Sequence, residues 1–171
     1  NLHHNVFFRD DTGPDRVFSS FDSEHKEDLW TYQEYQRSLG HENFSIPHNS
    51  NGSNGHMFFV EYPGAESLAA ERTQAELRAV MEPLAEVYQH KGDSECRNGL
   101  SGVLGEPDEL CDFEKIRAPD AADCGDGTGT GGSADAGCLS RLDFLRGALL
   151  AGLQESERIG VNPYRIEIGR A

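Results

Sequence analysis

Short apolar runs alternate along the chain with stretches of helical spacing, and most of them end in Gly, Pro or a polar cluster. Val6-Phe7-Phe8 reads as a buried strand that leaves into the turn Arg9-Asp10-Asp11-Thr12-Gly13-Pro14. Leu29, Trp30, Tyr32 or Gln33, and Gln36 then recur at helical spacing. They predict a helix from a cap at Asp22 or Ser23 to about Leu39, closed by Gly40, with acidic Glu24, Glu27 and Asp28 where the helix dipole favours them. Phe44-Ser45-Ile46-Pro47 is a second short strand that delivers His48 at its end, and Asn49 to His56 holds no core-forming side chain and reads as loop. A second helix is predicted over Ala65 to Met81, with Leu68, Ala75, Leu77, Val80 and Met81 as its apolar members. Pro83 forces an exit into an alternating strand, Leu84 to Tyr88, followed by the polar loop Gln89 to Glu95. After Cys138, Ser140 with Asp143 three residues on forms a capping box. The helix it opens runs to about Arg158, with Leu142, Leu145, Leu149 and Leu153 as its buried stripe and Phe144 and Ala148 beside them, and Val161 to Ile168 is the next strand.

The helix-then-strand rhythm is that of an α/β protein, in which polar loops at the C-terminal ends of strands usually carry the chemistry. The chain reads as a single α/β domain over residues 1–171, with residues 96–138 as a Gly- and Asp-rich insertion inside it. It opens inside a strand without an initiator Met, which suggests an incomplete domain.

Charge changes the list of partners. Lys and Arg total 15 against 30 for Asp and Glu, a formal net charge of -15, so the outer field repels phosphate backbones and nucleic acid is not expected as a partner. A small anionic substrate stays possible, because a bound divalent cation inverts the local potential inside a pocket. No stretch approaches the roughly 20 apolar residues that span a bilayer. The cysteines, Cys96, Cys111, Cys124 and Cys138, lack the C-x-x-C spacing of a structural zinc site, so two disulfides stapling a long loop are expected, and with them an oxidising compartment. Of the three possible pairings the nested one, Cys111 to Cys124 with Cys96 to Cys138, is the expectation.

Single residues give weak signals. His3 and His4 are adjacent, so in a strand they point to opposite faces and cannot clamp one metal. His48, as a lone His after a strand, reads more readily as a structural hydrogen-bonding residue than as a ligand. Lys91-Gly92-Asp93-Ser94-Glu95 has the parts for handling an anion, yet from the residues alone the favoured reading is that Lys91 and Glu95 pair with each other or with water at the surface. Asp120, Asp123 and Asp126 lack the spacing of a calcium loop. Asn43-Phe44-Ser45 and Asn51-Gly52-Ser53 have the form of glycosylation acceptors.

Whole segments say more. Ile46-Pro47-His48-Asn49-Ser50-Asn51, the run Glu82 to Cys96, and Gly160-Val161-Asn162-Pro163-Tyr164 closely resemble segments of the family catalogued as domain of unknown function 3604. So do His3 to Arg9 and the helix with Asp28-Leu29-Trp30, in the same order. That family looks related to the polymerase-and-histidinol-phosphatase (PHP-like) proteins. The resemblance implies part of a distorted (β/α) barrel and a periplasmic or secreted hydrolase that cleaves a phosphoester-type bond in a small anionic ester through a metal-activated water. It implies divalent metal ions such as Mn, Zn or Fe, with His48 and Glu86 as ligands. Lys91 and Glu95 become catalytic candidates, and Arg9, Asn49, Lys91 and Ser94 substrate-binding ones. The family's His-x-His and Asp-x-His segments are not in this chain and are expected in missing flanking segments of the same protein, so the fragment alone is expected to be inactive. The alternatives are a non-catalytic interaction module, or a cysteine-stapled extracellular binding domain, that keeps the fold without the full site.

Overall fold

In a computed structural model, residues 2–125, 127–130 and 136–166 are described. Strand β1 (His4–Phe8) pairs antiparallel with β2 (Asn43–Pro47), His4 opposite Pro47 and Phe8 opposite Asn43. Period two sorts β1 into a covered face, His4, Val6 and Phe8, and an open one, Asn5 and Phe7. Strand β2 sorts the other way round from a simple apolar strand. Its buried positions are Asn43, Ser45 and Pro47, while Phe44 and Ile46 are half-buried.

The polar inner face of β2 is covered by helix α1 (Lys26–Ser38). Fully buried Gln33 donates to Asn43 Oδ1 at 3.0 Å and accepts from Ser45 Oγ at 3.1 Å, so an amide and a hydroxyl do the joining that apolar side chains do elsewhere. The helix starts after the expected cap because Asp22 is used by the preceding turn, accepting from the Ser19 amide at 2.9 Å and pairing with Arg16. Helix α2 (Leu68–Met81) starts from Ser67, whose hydroxyl accepts from the Ala70 amide. Of its expected apolar members Ala75 and Met81 are buried, Leu68 and Val80 are exposed, and Arg78 faces inward beside the first two.

The expected strand 84–88 is reduced to Tyr88–Gln89 (β3), which forms a two-residue-turn hairpin with Gly92–Asp93 (β4). Residues Pro83 to Val87 run beside other segments through single bonds, Glu86 N–H to Pro47 O and Ser94 N–H to Val87 O. Gly92 has φ +92, and a Cβ there would collide with the Glu114 carbonyl, so only glycine closes this hairpin. The Ser140 and Asp143 capping box is present, on a short 3-10 turn from Arg141 to Asp143, and helix α3 (Leu145–Ile159) follows. Leu142, Phe144, Leu145 and Ala148 are buried with Met57, Phe58, Ala151 and Tyr164 in or beside the main core, whereas Leu153 is exposed. Val161 to Ile166 is not a strand, and Glu167 and Ile168 lie outside the described residues.

Among the described residues the four strands make two separate two-stranded antiparallel sheets, so the architecture is mixed α/β without a closed barrel. Two disulfides are present, but they are sequential, Cys96–Cys111 and Cys124–Cys138, not nested. Asn98 bonds Asp108 and Asp112 and folds the first loop back on itself. The bridge between Asp123 and Leu139 lays the second loop's ends side by side. In the folded chain these contacts set each Cys beside its neighbour in sequence. Asp123 accepts from Ser101 and Gly125, and Asp126 lies outside the described residues. Asn43 and Asn51 are both 3% exposed and hydrogen-bonded inside, so the folded chain offers neither as a glycan acceptor. No helix among the described residues is long and apolar enough to cross a membrane.

Candidate functional site

Pro47 ends β2, and the ladder is extended by one bond from His48 N–H to His3 O at 2.9 Å. Asn49 then adopts the left-handed conformation at φ 57, which asparagine tolerates better than other side chains, and throws the chain into a 3-10 turn at Ser50–Gly52. The polar stretch that follows is interior, not surface loop: Asn49, Ser50, Asn51, Ser53 and Asn54 are all nearly inaccessible. Asp143 holds one side of it through Ser53 Oγ at 2.8 Å and the Gly55 amide at 2.7 Å, and burial pushes the Asp143 carboxyl up against the pull of these donors. Asn51 donates to the carbonyls of Lys91 and Asp93 and ties the stretch to the β3–β4 hairpin.

These ties gather five of the expected residues, His48, Asn49, Glu86, Lys91 and Ser94. Glu86 Oε2 lies 2.7 Å from His48 Nδ1 and accepts from the Asn49 amide at 3.2 Å. His48 Nδ1 makes no aligned hydrogen bond at this short distance, so the two atoms are in close contact without being joined by one. The Asn49 side-chain oxygen accepts from Gln89 Nε2 at 2.5 Å, and Gln89 Oε1 accepts from the Lys91 amide. Asn49 Nδ2 and the hydroxyls of Ser50 and Ser94 are buried without a hydrogen-bond partner. The His3 ring stacks beside that of His48, centroids 6.4 Å apart and planes 11° off parallel. Burial, then the charges of Lys91 and His48, hold the His3 imidazole below its ordinary value, which places the Lys91 cation within electrostatic reach of the His3 ring. His48, His3 and His4 open onto a cavity of about 560 Å³ walled by β1, residues 18–25 and the start of α1.

Two expected residues do not join this group. Glu95 is taken up by Arg146 at 2.7 Å in a surface cluster with Asp108, so it pairs neither with Lys91 nor with the histidines. Arg9 lies beyond the far end of the β1–β2 ribbon, where its amide bonds Glu42 O. At about 3.4 Å per residue that is roughly 15–20 Å from His48.

A buried charge network underlies the cavity, and the sequence pattern did not single it out. Glu82, at the end of α2, accepts from His4 Nε2 at 2.7 Å, Trp30 Nε1 at 2.9 Å and Arg78 Nε at 3.0 Å. Burial alone raises a carboxyl, yet Arg78, His4 and these bonds outweigh it and hold Glu82 down to about 2. Arg78 also donates to Met57 O, Phe59 O and Tyr164 Oη, and its guanidinium lies over the rings of Trp30 and Tyr164. Lys26 donates to His56 O and Phe59 O at 2.8 Å each, and burial lowers its amine to about 7. The one available signal was the alternation that sends His4 and His3 to opposite faces. The structure shows that split, His4 on Glu82 and His3 beside His48.

A hydrolytic metal needs about three or four protein donors and an open position. Among the described residues no group of three or more His, Cys, Asp or Glu side chains is arranged to hold an ion, so His48 and Glu86 alone do not fit one. Comparison with curated proteins and with solved structures gives no match. The model of a family described as a protein of unknown function, DUF3604, matches residues 1–169, and the chain belongs to that family.

Proposed function

We propose that this chain contributes one wall of the active site of a metal-dependent hydrolase acting on a phosphoester-type bond of a small anionic substrate. The observation that carries the proposal is the meeting of His48 Nδ1 and Glu86 Oε2 at 2.7 Å without hydrogen-bond alignment, next to the cavity that His48 lines. In this reading Lys91 supplies positive charge to the substrate's anionic oxygens, and Asn49 Nδ2 and Ser94 Oγ are unused hydrogen-bonding groups beside it. Two donors do not hold a hydrolytic ion, so the reading requires further ligands from other segments of the same protein, and no reaction step is assigned to these residues alone. The disulfides suit a periplasmic or secreted location.

The test is a titration of Mn²⁺, Zn²⁺ and Fe²⁺ against this chain and against the full-length protein, with hydrolysis of bis(p-nitrophenyl) phosphate as the activity. We expect tight binding and turnover in the longer protein only, and a loss of metal affinity of about 10-fold or more in its His48→Ala variant. Metal affinity that ignores His48→Ala would overturn the assignment. A second reading, a non-catalytic module that keeps the fold, is favoured by the lack of a three-ligand group among the described residues and by the engagement of Glu95 with Arg146. Full-length protein that neither binds metal nor hydrolyses the ester would select it.

A further inference from the structure

Away from the histidines, helix α3 and the first cysteine loop enclose a second cavity of about 370 Å³. Its apolar wall is formed by Val103, Leu104, Phe144, Leu149, Leu150 and Leu153 with the Cys96–Cys111 bridge at one side, and Asn98, Glu106 and Asp108 also line it, Asp108 being held by Arg146. This size falls within the roughly 300–1,000 Å³ of small-molecule pockets. Leu104 and Leu153 are 76% and 60% exposed, so two leucines stand at an opening that water alone covers poorly.

Three arginines line the cavity, and two of them are compensated. Arg97 donates to the carbonyls of Arg117 and Ala118, and Arg146 pairs with Glu95 and Asp108. Arg141 is different. Its Nε is buried without a hydrogen-bond partner, and no carboxylate among the described residues pairs with it, although the chain carries 30 acidic residues. Its side chain is laid across Gly102, where φ is +73 and a Cβ would stand 2.7 Å from Arg141 Cδ. The glycine therefore gives the cation its place against the apolar wall. An uncompensated guanidinium beside a leucine-lined hollow has a defined complement, because its forked donors match a carboxylate while the hollow takes a hydrocarbon chain.

We propose that this cavity binds an aliphatic carboxylate, its chain among the leucines of α3 and the cysteine loop and its head group on Arg141. The site is separate from the His48 cavity and stands whether or not the hydrolase reading holds. Isothermal titration of the folded, oxidised chain with dodecanoate and with 1-dodecanol tests it. We expect dodecanoate to bind on the order of tenfold or more tightly than the alcohol, and Arg141→Met, which keeps the packing on Gly102, to remove that difference. Equal affinity for the two ligands, no binding of either, or unchanged dodecanoate affinity in Arg141→Met would each overturn the proposal. Methyl NMR of the unmutated chain gives an answer that does not depend on the variant folding. Dodecanoate should shift the signals of Leu104, Leu149, Leu150 and Leu153, and shifts confined to other leucines would count against the site.

Discussion

Glu82 carries more of the interior than its place at the end of a helix suggests. It accepts from Arg78, His4 and Trp30 at once, so removing its charge leaves a fully buried guanidinium without its carboxylate. Glu82→Gln is expected to cost about 3–5 kcal/mol, the range for breaking one partner of a buried pair, read from denaturant unfolding at pH 7. A loss under 1 kcal/mol would mean that Tyr164 and the two backbone carbonyls suffice for Arg78. Because its folded value is depressed, the Glu82 contribution is present above the ordinary carboxylate range and is lost as pH falls toward about 2. Lys26 behaves in the opposite sense. Its amine is lowered by burial to about 7, so between pH 7 and its ordinary 10.5 the unfolded chain binds the extra proton and stability rises with pH. The penalty is fully present below pH 7. Stability should climb by up to about 1.4 kcal/mol per pH unit between pH 7 and 9, and this climb should vanish in Lys26→Met. Parallel pH profiles of the two proteins would rule out a buried, titrating Lys26. Arg78 and Glu82 are four residues apart and read in a sequence as an exposed helix pair, because the other partners that make their burial tolerable, His4, Trp30 and Tyr164, lie 78, 52 and 86 positions away.

At the scale of elements, legibility followed locality. The Ser140 box needs residues three apart and was readable, whereas the strand expected at 84–88 needed a neighbour that the fold does not supply. The glycine-dependent hairpin at Gly92 took its place, closed against Glu114. The disulfide order failed for the same reason, since the hydrogen bonds of Asn98 and the pairing of Asp123 with Leu139 decide which sulfurs meet. Closed loops of separation 15 and 14 are each worth about 3 kcal/mol in the chain-entropy model, so the two double Cys→Ser variants should lose similar stability. Their local effects should differ. Lys115 lies just beyond Cys111 and binds both Asp93 and the Cys96 carbonyl, so removing Cys96–Cys111 should raise hydrogen exchange in residues 88–94, while removing Cys124–Cys138 should leave that hairpin protected. Identical exchange in the two variants would remove the link between loop and hairpin.

For the whole molecule, the wording of segments located the family, and the α/β rhythm located the helices, but neither announced an interior lined by asparagine and serine. His48 stands just past a strand end, as its sequence position implied, and Glu86 meets it from an irregular segment; the sequence did not reveal the ion pairs that take up Glu95 or which end of the ribbon Arg9 occupies. Strand β1 shows how little information some of these choices rest on. Its neighbourhood reads His3-His4-Asn5-Val6-Phe7-Phe8, a doubled histidine at one end and a doubled phenylalanine at the other. A slip of one residue reverses the faces of a strand, yet here it would still turn one histidine toward Glu82, another toward His48, and a phenylalanine to each side. The ends of the strand are thus the same message read forwards by one step, and only the contrast between Asn5 and Val6 tells the two registers apart. Exchanging those two residues would leave composition, charge and every aromatic in place while reversing which of the two registers that contrast favours.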